Sequence, residues 1–171
     1  AFNLISEFDP RRYSQIKRNV KRIWISILPV NYAEWMNDLQ TCILDRNYLL
    51  RSDVSVCEIA QTIVHEATHA RLCKLKIKYT EDIRDRVEQI CVNSEIAFAK
   101  RLPNGQKEIE IAESRLRLPQ SFWTNDQFQQ RDLDALADLR KKTWVARILY
   151  PLVKRKVDKR RSACLRSLEK D

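Results

Sequence analysis

The sequence predicts an α+β fold: mainly helical, with a small sheet of about three strands packed on one central helix. Three observations predict it. The 171 residues contain a single glycine, Gly105, which disfavours architectures built on tight hairpins, because those turns need positive φ. Hydrophobic residues make up 44% of the chain, enough for a core at the length of one ordinary domain. Helix start and stop signals recur throughout, whereas strand-like runs are confined to the stretch before Arg51.

The elements follow in order. Asp9-Pro10 is a helix start, a capping carboxylate followed by proline at the first helical position. That helix runs to about Lys21 with Tyr13, Ile16 and Val20 inward. Arg22 to Leu28 is rich in β-branched and aromatic residues and predicts a strand. Asn31 to Leu39 is ambiguous and is read as a short helical turn. Gln40 to Leu44 and Asn47 to Arg51 predict two further strands, paired as a hairpin around Asp45-Arg46.

Ser55 and Glu58 form a capping box that launches a helix from Val56 to Lys74. This helix is apolar around most of its circumference, which predicts a central position. Lys74 to Tyr79 is a basic connector. Thr80-Glu81-Asp82 opens the next helix, which ends near Leu102 at the turn Pro103-Asn104-Gly105. Two more helices are predicted, Lys107 to Leu118 and Asp126 to Tyr150, then a basic tail from Leu152 to Asp171. The expected organisation is a core over residues 1–119 and a helical extension over 120–171.

Composition narrows the function. One glycine excludes glycine-rich phosphate loops. The net charge of +9 points only weakly to an anionic partner, because positive and negative residues are mixed along most of the chain. The tail reads first as solubilising, with nucleic acid or an acidic partner as the alternative. Five cysteines without a CxxC pair predict free thiols and a cytoplasmic protein. No apolar run approaches the roughly 20 residues that span a membrane, and no signal-peptide pattern opens the chain.

The chemistry concentrates in His65-Glu66-Ala67-Thr68-His69. Residues four apart stand one turn above each other on a helix. His65 and His69 can therefore aim both imidazoles at one point, with Glu66 in reach of a water there. They are the chain's only two histidines. A zinc site needs a third protein ligand, which must then be Glu, Asp or Cys. Glu88 and Glu95, two turns apart on an otherwise apolar helix face, are the candidates, since a carboxylate there is costly unless paired or metal-bound. The plainer alternatives are ion pairs: Glu88 with Arg84, Glu95 with Arg101 or a lysine. Cys73 and Cys91 read as small core hydrophobes rather than ligands. Tyr79 reads as a partly buried aromatic, with an oxyanion donor as the alternative. Trp24, Trp35, Trp123 and Trp144 read as core or core-edge residues.

This pattern of HExxH, a gap and then Glu88 resembles the gluzincin branch of the zincin metallopeptidases. There the third ligand is a glutamate on the following helix. By that resemblance His65, His69 and Glu88 bind Zn2+, with Glu95 as the alternative third ligand. Glu66 is the general base, and the substrate is a peptide or protein held along the preceding sheet. The expected activity is zinc-dependent peptide hydrolysis. The alternative is a zinc-containing binding or regulatory module with little turnover that engages an anionic partner. Two departures stand out. Arg71 occupies a position that is usually apolar, and Val92 stands where the family often has a histidine-orienting aspartate. Asp85 or Glu95 is left to orient a histidine. Peptide deformylases share HExxH with an upstream cysteine ligand, but their glycine-rich motifs are absent here.

Overall fold

The computed structural model describes residues 1–28, 30–142 and 151. The predicted end of the last helix, the basic tail, Trp144 and Cys164 lie outside them. The chain divides into two compact units, Ala1–Gln120 and Ser121–Asp171. The fold is α+β and mainly helical, with one small mixed sheet.

The first unit opens with α1 (Phe2–Phe8), which the sequence reading did not identify, and α2 (Pro10–Asn19). Asp9 caps α2 by accepting from the Arg12 amide at 3.0 Å, and its other oxygen takes the Arg12 side chain at 3.0 Å. Three strands follow: β1 (Arg22–Ser26), β2 (Ala33–Met36) and β3 (Thr41–Asp45). Their order is β1-β3-β2, with β1 parallel and β2 antiparallel to β3.

Two sequence expectations are corrected here. The segment read as a helical turn contains β2, held by its ladder to β3 with Trp35 opposite Cys42. The segment read as a hairpin strand is instead a helical turn, α3 (Arg46–Leu49). Asp45 explains the second correction. Its carboxylate accepts from the Tyr48 amide at 2.8 Å and from the Leu28 amide at 2.9 Å. It thereby caps α3 and ties down the chain leaving β1, so no strand can continue past it.

The central strand β3 is buried at all five positions, whereas β1 is exposed at four of five. Trp24, read as core or core-edge, is exposed and Ile25 is 65% exposed. The β2–β3 turn places Gln40 at φ 48, a left-handed conformation at a position without glycine.

Helix α4 (Val56–Lys74) carries the HExxH segment and begins with the predicted capping box. Ser55 Oγ accepts from the Glu58 amide at 3.0 Å, and Glu58 accepts from the Ser55 amide at 2.7 Å. Ala60, Ile63, Val64 and Ala67 join Ile5, Ile16, Cys42, Leu44, Phe98 and Leu102 in the main core. Truncating a fully buried residue such as Phe98 would cost about 3–5 kcal/mol. Val56, read as part of the apolar stripe, is exposed.

A short 3-10 turn at Glu81–Ile83 leads into α5 (Arg84–Ala99), which packs along α4, and α6 (Gln106–Leu116) packs on α5. Gly105 joins the last two helices. Its φ is an ordinary −82°, but a Cβ there would lie 2.0 Å from the Ala99 carbonyl oxygen. Glycine is required for close approach rather than for a special φ.

In the second unit α7 spans Asn125–Lys142. The Arg131 guanidinium lies over the rings of Phe122 and Phe128 at 4.1 and 4.4 Å. It also donates to the Phe122 carbonyl at 2.9 Å. No described helix is long and apolar enough to cross a membrane. Cys42, Cys57, Cys73 and Cys91 are free thiols.

Candidate metal centre

The two histidines point from α4 toward α5. His65 Nε2 and His69 Nε2 lie 3.1 Å apart. Glu88, one turn into α5, brings its two carboxylate oxygens to 3.3 Å from His65 Nε2 and 3.5 Å from His69 Nε2. Ligands placed tetrahedrally at about 2.0–2.1 Å from an ion lie about 3.3 Å from one another. The two imidazole nitrogens are near that spacing, and each has a different Glu88 oxygen at a similar distance. Cys91 lies one turn further along α5, and its sulfur and the two histidines form a group of ligand atoms all within 4.8 Å of one another. His65, His69 and Cys91 could therefore hold a metal ion. The sequence reading took Cys91 for core packing alone. It is fully buried, and the usable signal was its position between Glu88 and Glu95 on the inner face of the helix.

Glu95 does something different from Glu88. His65 Nδ1–H donates to Glu95 Oε1 at 2.5 Å. This contact is on the opposite ring edge from Glu88, so Glu95 orients the histidine rather than joining the Nε2 cluster. Of Glu95 and Asp85, it is Glu95 that reaches the histidine. Its ion-pair partner is Arg115 on α6, whereas Arg101 pairs with Asp9 at 3.4 Å. Val92 is fully buried with Ile96 and Ala112, and among the described residues none pairs with His69 Nδ1.

Tyr79, in the connector between the two helices, donates its hydroxyl to Glu88 Oε1. Its ring meets His69 edge-on at 5.3 Å. Cys73 donates to Asn37 Oδ1 at 2.6 Å and is outside the cluster.

Glu66 is only 8% exposed. No described residue donates a hydrogen bond to it. Burial, then the neighbouring charges of Glu88 and Glu95, push its carboxyl up to about 7 against the pull of His65. Glu34 on β2 adds to that push, so the β2 side of the sheet lies near Glu66. Burial pulls His65 down, but hydrogen bonds to Glu88 and Glu95 outweigh it and lift the imidazole to about 10. Burial and then the His65 charge hold His69 at about 4. Burial raises Glu88, but the hydrogen bond and charge of His65 prevail and hold it at about 2. The two carboxylates thus favour a cationic His65, whereas His69 beside it is kept neutral.

No protein-family model, curated protein or solved structure matches the chain.

Proposed function

We propose that this protein is a zinc-dependent peptide hydrolase. The observation that carries the proposal is the set of 3.1, 3.3 and 3.5 Å separations among His65, His69 and Glu88, with Glu66 buried beside them. His65, His69 and Glu88 would hold the ion, in the arrangement the gluzincin resemblance implies. Zinc, when bound, would supply Lewis acidity, polarising a carbonyl and acidifying water toward a pKa of about 7.

The chain's own groups do the rest. Glu66 takes a proton from the attacking water as its oxygen bonds to the carbonyl carbon. The carbon–nitrogen bond then breaks, and Glu66 delivers that proton to the leaving amine. A buried carboxyl with no donor among the described residues suits both transfers. Tyr79, whose hydroxyl meets Glu88, would donate to developing oxyanion charge on leaving that carboxylate. The free edge of β2 would accept an extended peptide by main-chain pairing.

A second reading, a zinc-containing binding module, rests on a different observation. Residues 17–22 and 71–78 each carry four basic side chains, and the Lys74 ammonium reaches the Arg18 carbonyl at 3.4 Å. Neither segment contains a carboxylate, so this end of the unit suits an anionic partner.

Elemental analysis and digestion of a peptide library test the first reading. The wild type should carry about one zinc and cut peptides. Glu66→Gln should keep the zinc and lose about 10²–10⁴-fold in rate. A wild type that binds zinc yet cuts nothing favours the binding module. A wild type that takes up no metal ends both readings.

A further inference from the structure

The metal cluster is built from α4 and α5, but a third helix reaches it. Arg115, near the C-terminal end of α6, donates through its guanidinium to Glu95 Oε2. The other Glu95 oxygen takes the His65 Nδ1–H at 2.5 Å. Both Glu95 oxygens are therefore committed, one to the histidine and one to the arginine. We infer that Arg115 is the positioning residue of the site: it holds the Glu95 carboxylate in place, so that His65 presents Nε2 to the ion.

The physical reason lies in burial. Glu95 is 2% exposed, and burying a carboxylate that deep is costly without a charged partner. His65 cannot be that partner when a metal is bound, because a ligating imidazole is neutral. Arg115 supplies a charge that does not titrate, through one terminal guanidinium nitrogen on Glu95 Oε2. Glu95, so held, fixes the ring with Nδ1–H toward α5 and makes Nε2 a stronger donor to metal.

Helix α6 is itself anchored to the start of α4. Ser55 Oγ donates to Glu108 at 3.2 Å, Gln61 donates to the Glu108 carbonyl at 3.3 Å, and Lys107 pairs with Glu58 at 3.2 Å. Arg115 thus arrives on a helix pinned at its other end. Arg117, two residues on, lies at the surface and only pairs with Glu113 at 3.9 Å.

The inference rests on the zinc reading, and the experiment separates the two. Zinc affinity is measured by competition with a chromophoric chelator for the wild type, R115M, R115K, E95Q and R117M, with thermal melts to confirm folding. The hydrogen-bonded Nδ1 proton of His65 is followed by NMR in the metal-free proteins. R115M and E95Q should each bind zinc about 10–100-fold more weakly, and the His65 proton signal should shift or vanish in both. R117M should match the wild type. Lysine keeps the charge without the guanidinium, so R115K should fold normally, restore the proton signal and recover part of the affinity. That recovery guards against a loss in R115M that is merely unfolding.

Wild-type affinity and an unchanged His65 signal in R115M would overturn the positioning role. A wild type that binds no zinc would overturn the metal reading instead. The NMR arm needs no metal and still decides what Arg115 does to His65.

Discussion

Glu88 and Glu108 sit on the two helices that follow α4 and are buried to nearly the same depth, 5% and 4% exposed. Their surroundings differ completely. Glu88 faces two imidazoles and a phenol, and its oxygens are engaged by all three. Glu108 meets one hydroxyl, Ser55 Oγ, and its second oxygen is buried without a partner. Burial alone therefore does not mark a site. A carboxylate becomes a candidate ligand when soft or basic donors converge with it on one point. At the start of α4 a similar carboxylate only helps staple two helices together.

The largest expected effect breaks this comparison directly. Glu88→Ala should reduce zinc affinity by more than the roughly 10–100-fold that losing an outer partner costs, whereas Glu108→Ala should leave it unchanged. Cys91→Ala separates the two possible donor sets. If it abolishes zinc binding while Glu88→Ala does not, the site is His65, His69 and Cys91, and the gluzincin reading of Glu88 fails.

Metal removal should have a smaller effect, with a defined pH signature. Free zinc at about 100 times its dissociation constant stabilises by about 2.7 kcal/mol, which chelator should remove. In the metal-free protein His65 is held at about 10, above its ordinary 6.5. Its contribution is complete below 6.5 and is lost as pH rises toward 10. Glu88, held at about 2 rather than 4.5, contributes above 4.5 and loses that contribution as pH falls toward 2. His69, held at about 4, opposes folding as pH falls below 6.5. Glu66, held at about 7 rather than 4.5, loses its contribution as pH rises from 4.5 to 7 and so offsets His69 over that range. Melting temperature in chelator should therefore be highest between about pH 4.5 and 6.5 and fall on both sides. Saturating zinc should flatten the alkaline arm, and a chelated protein with no alkaline arm would refute the paired state of His65.

The smallest effects belong to the stapled end. Ser55→Ala removes a helix cap and a donor to Glu108, which should cost about 1 kcal/mol by denaturant unfolding with zinc affinity unchanged. A loss of affinity there would mean that the two ends of α4 are coupled through α6.

Much of the architecture was legible because it is written locally. The capping box fixed the start of α4, Asp9-Pro10 the start of α2, and the Pro103-Asn104-Gly105 turn the end of the fifth helix. The errors fell where local signals were weak. The four residues of β2 have too little pattern to announce a strand, and only the ladder to β3 makes them one. Leu49 and Leu50 looked like a strand because the capping role of Asp45 depends on which amides lie near it. Arg115 and Arg117 are indistinguishable in the sequence, yet one clamps a buried carboxylate and the other lies at the surface.

The sequence by itself determined the helix that carries His65, Glu66 and His69, because a spacing of four residues puts both imidazoles on one face whatever surrounds them. It also limited the remaining ligand to a carboxylate or a thiol, since no third histidine exists. The tertiary structure alone decided which of Glu88, Cys91 and Glu95 meets which ring nitrogen. That choice depends on the rotation and slide of α5 against α4, a packing outcome that single-helix periodicity does not encode.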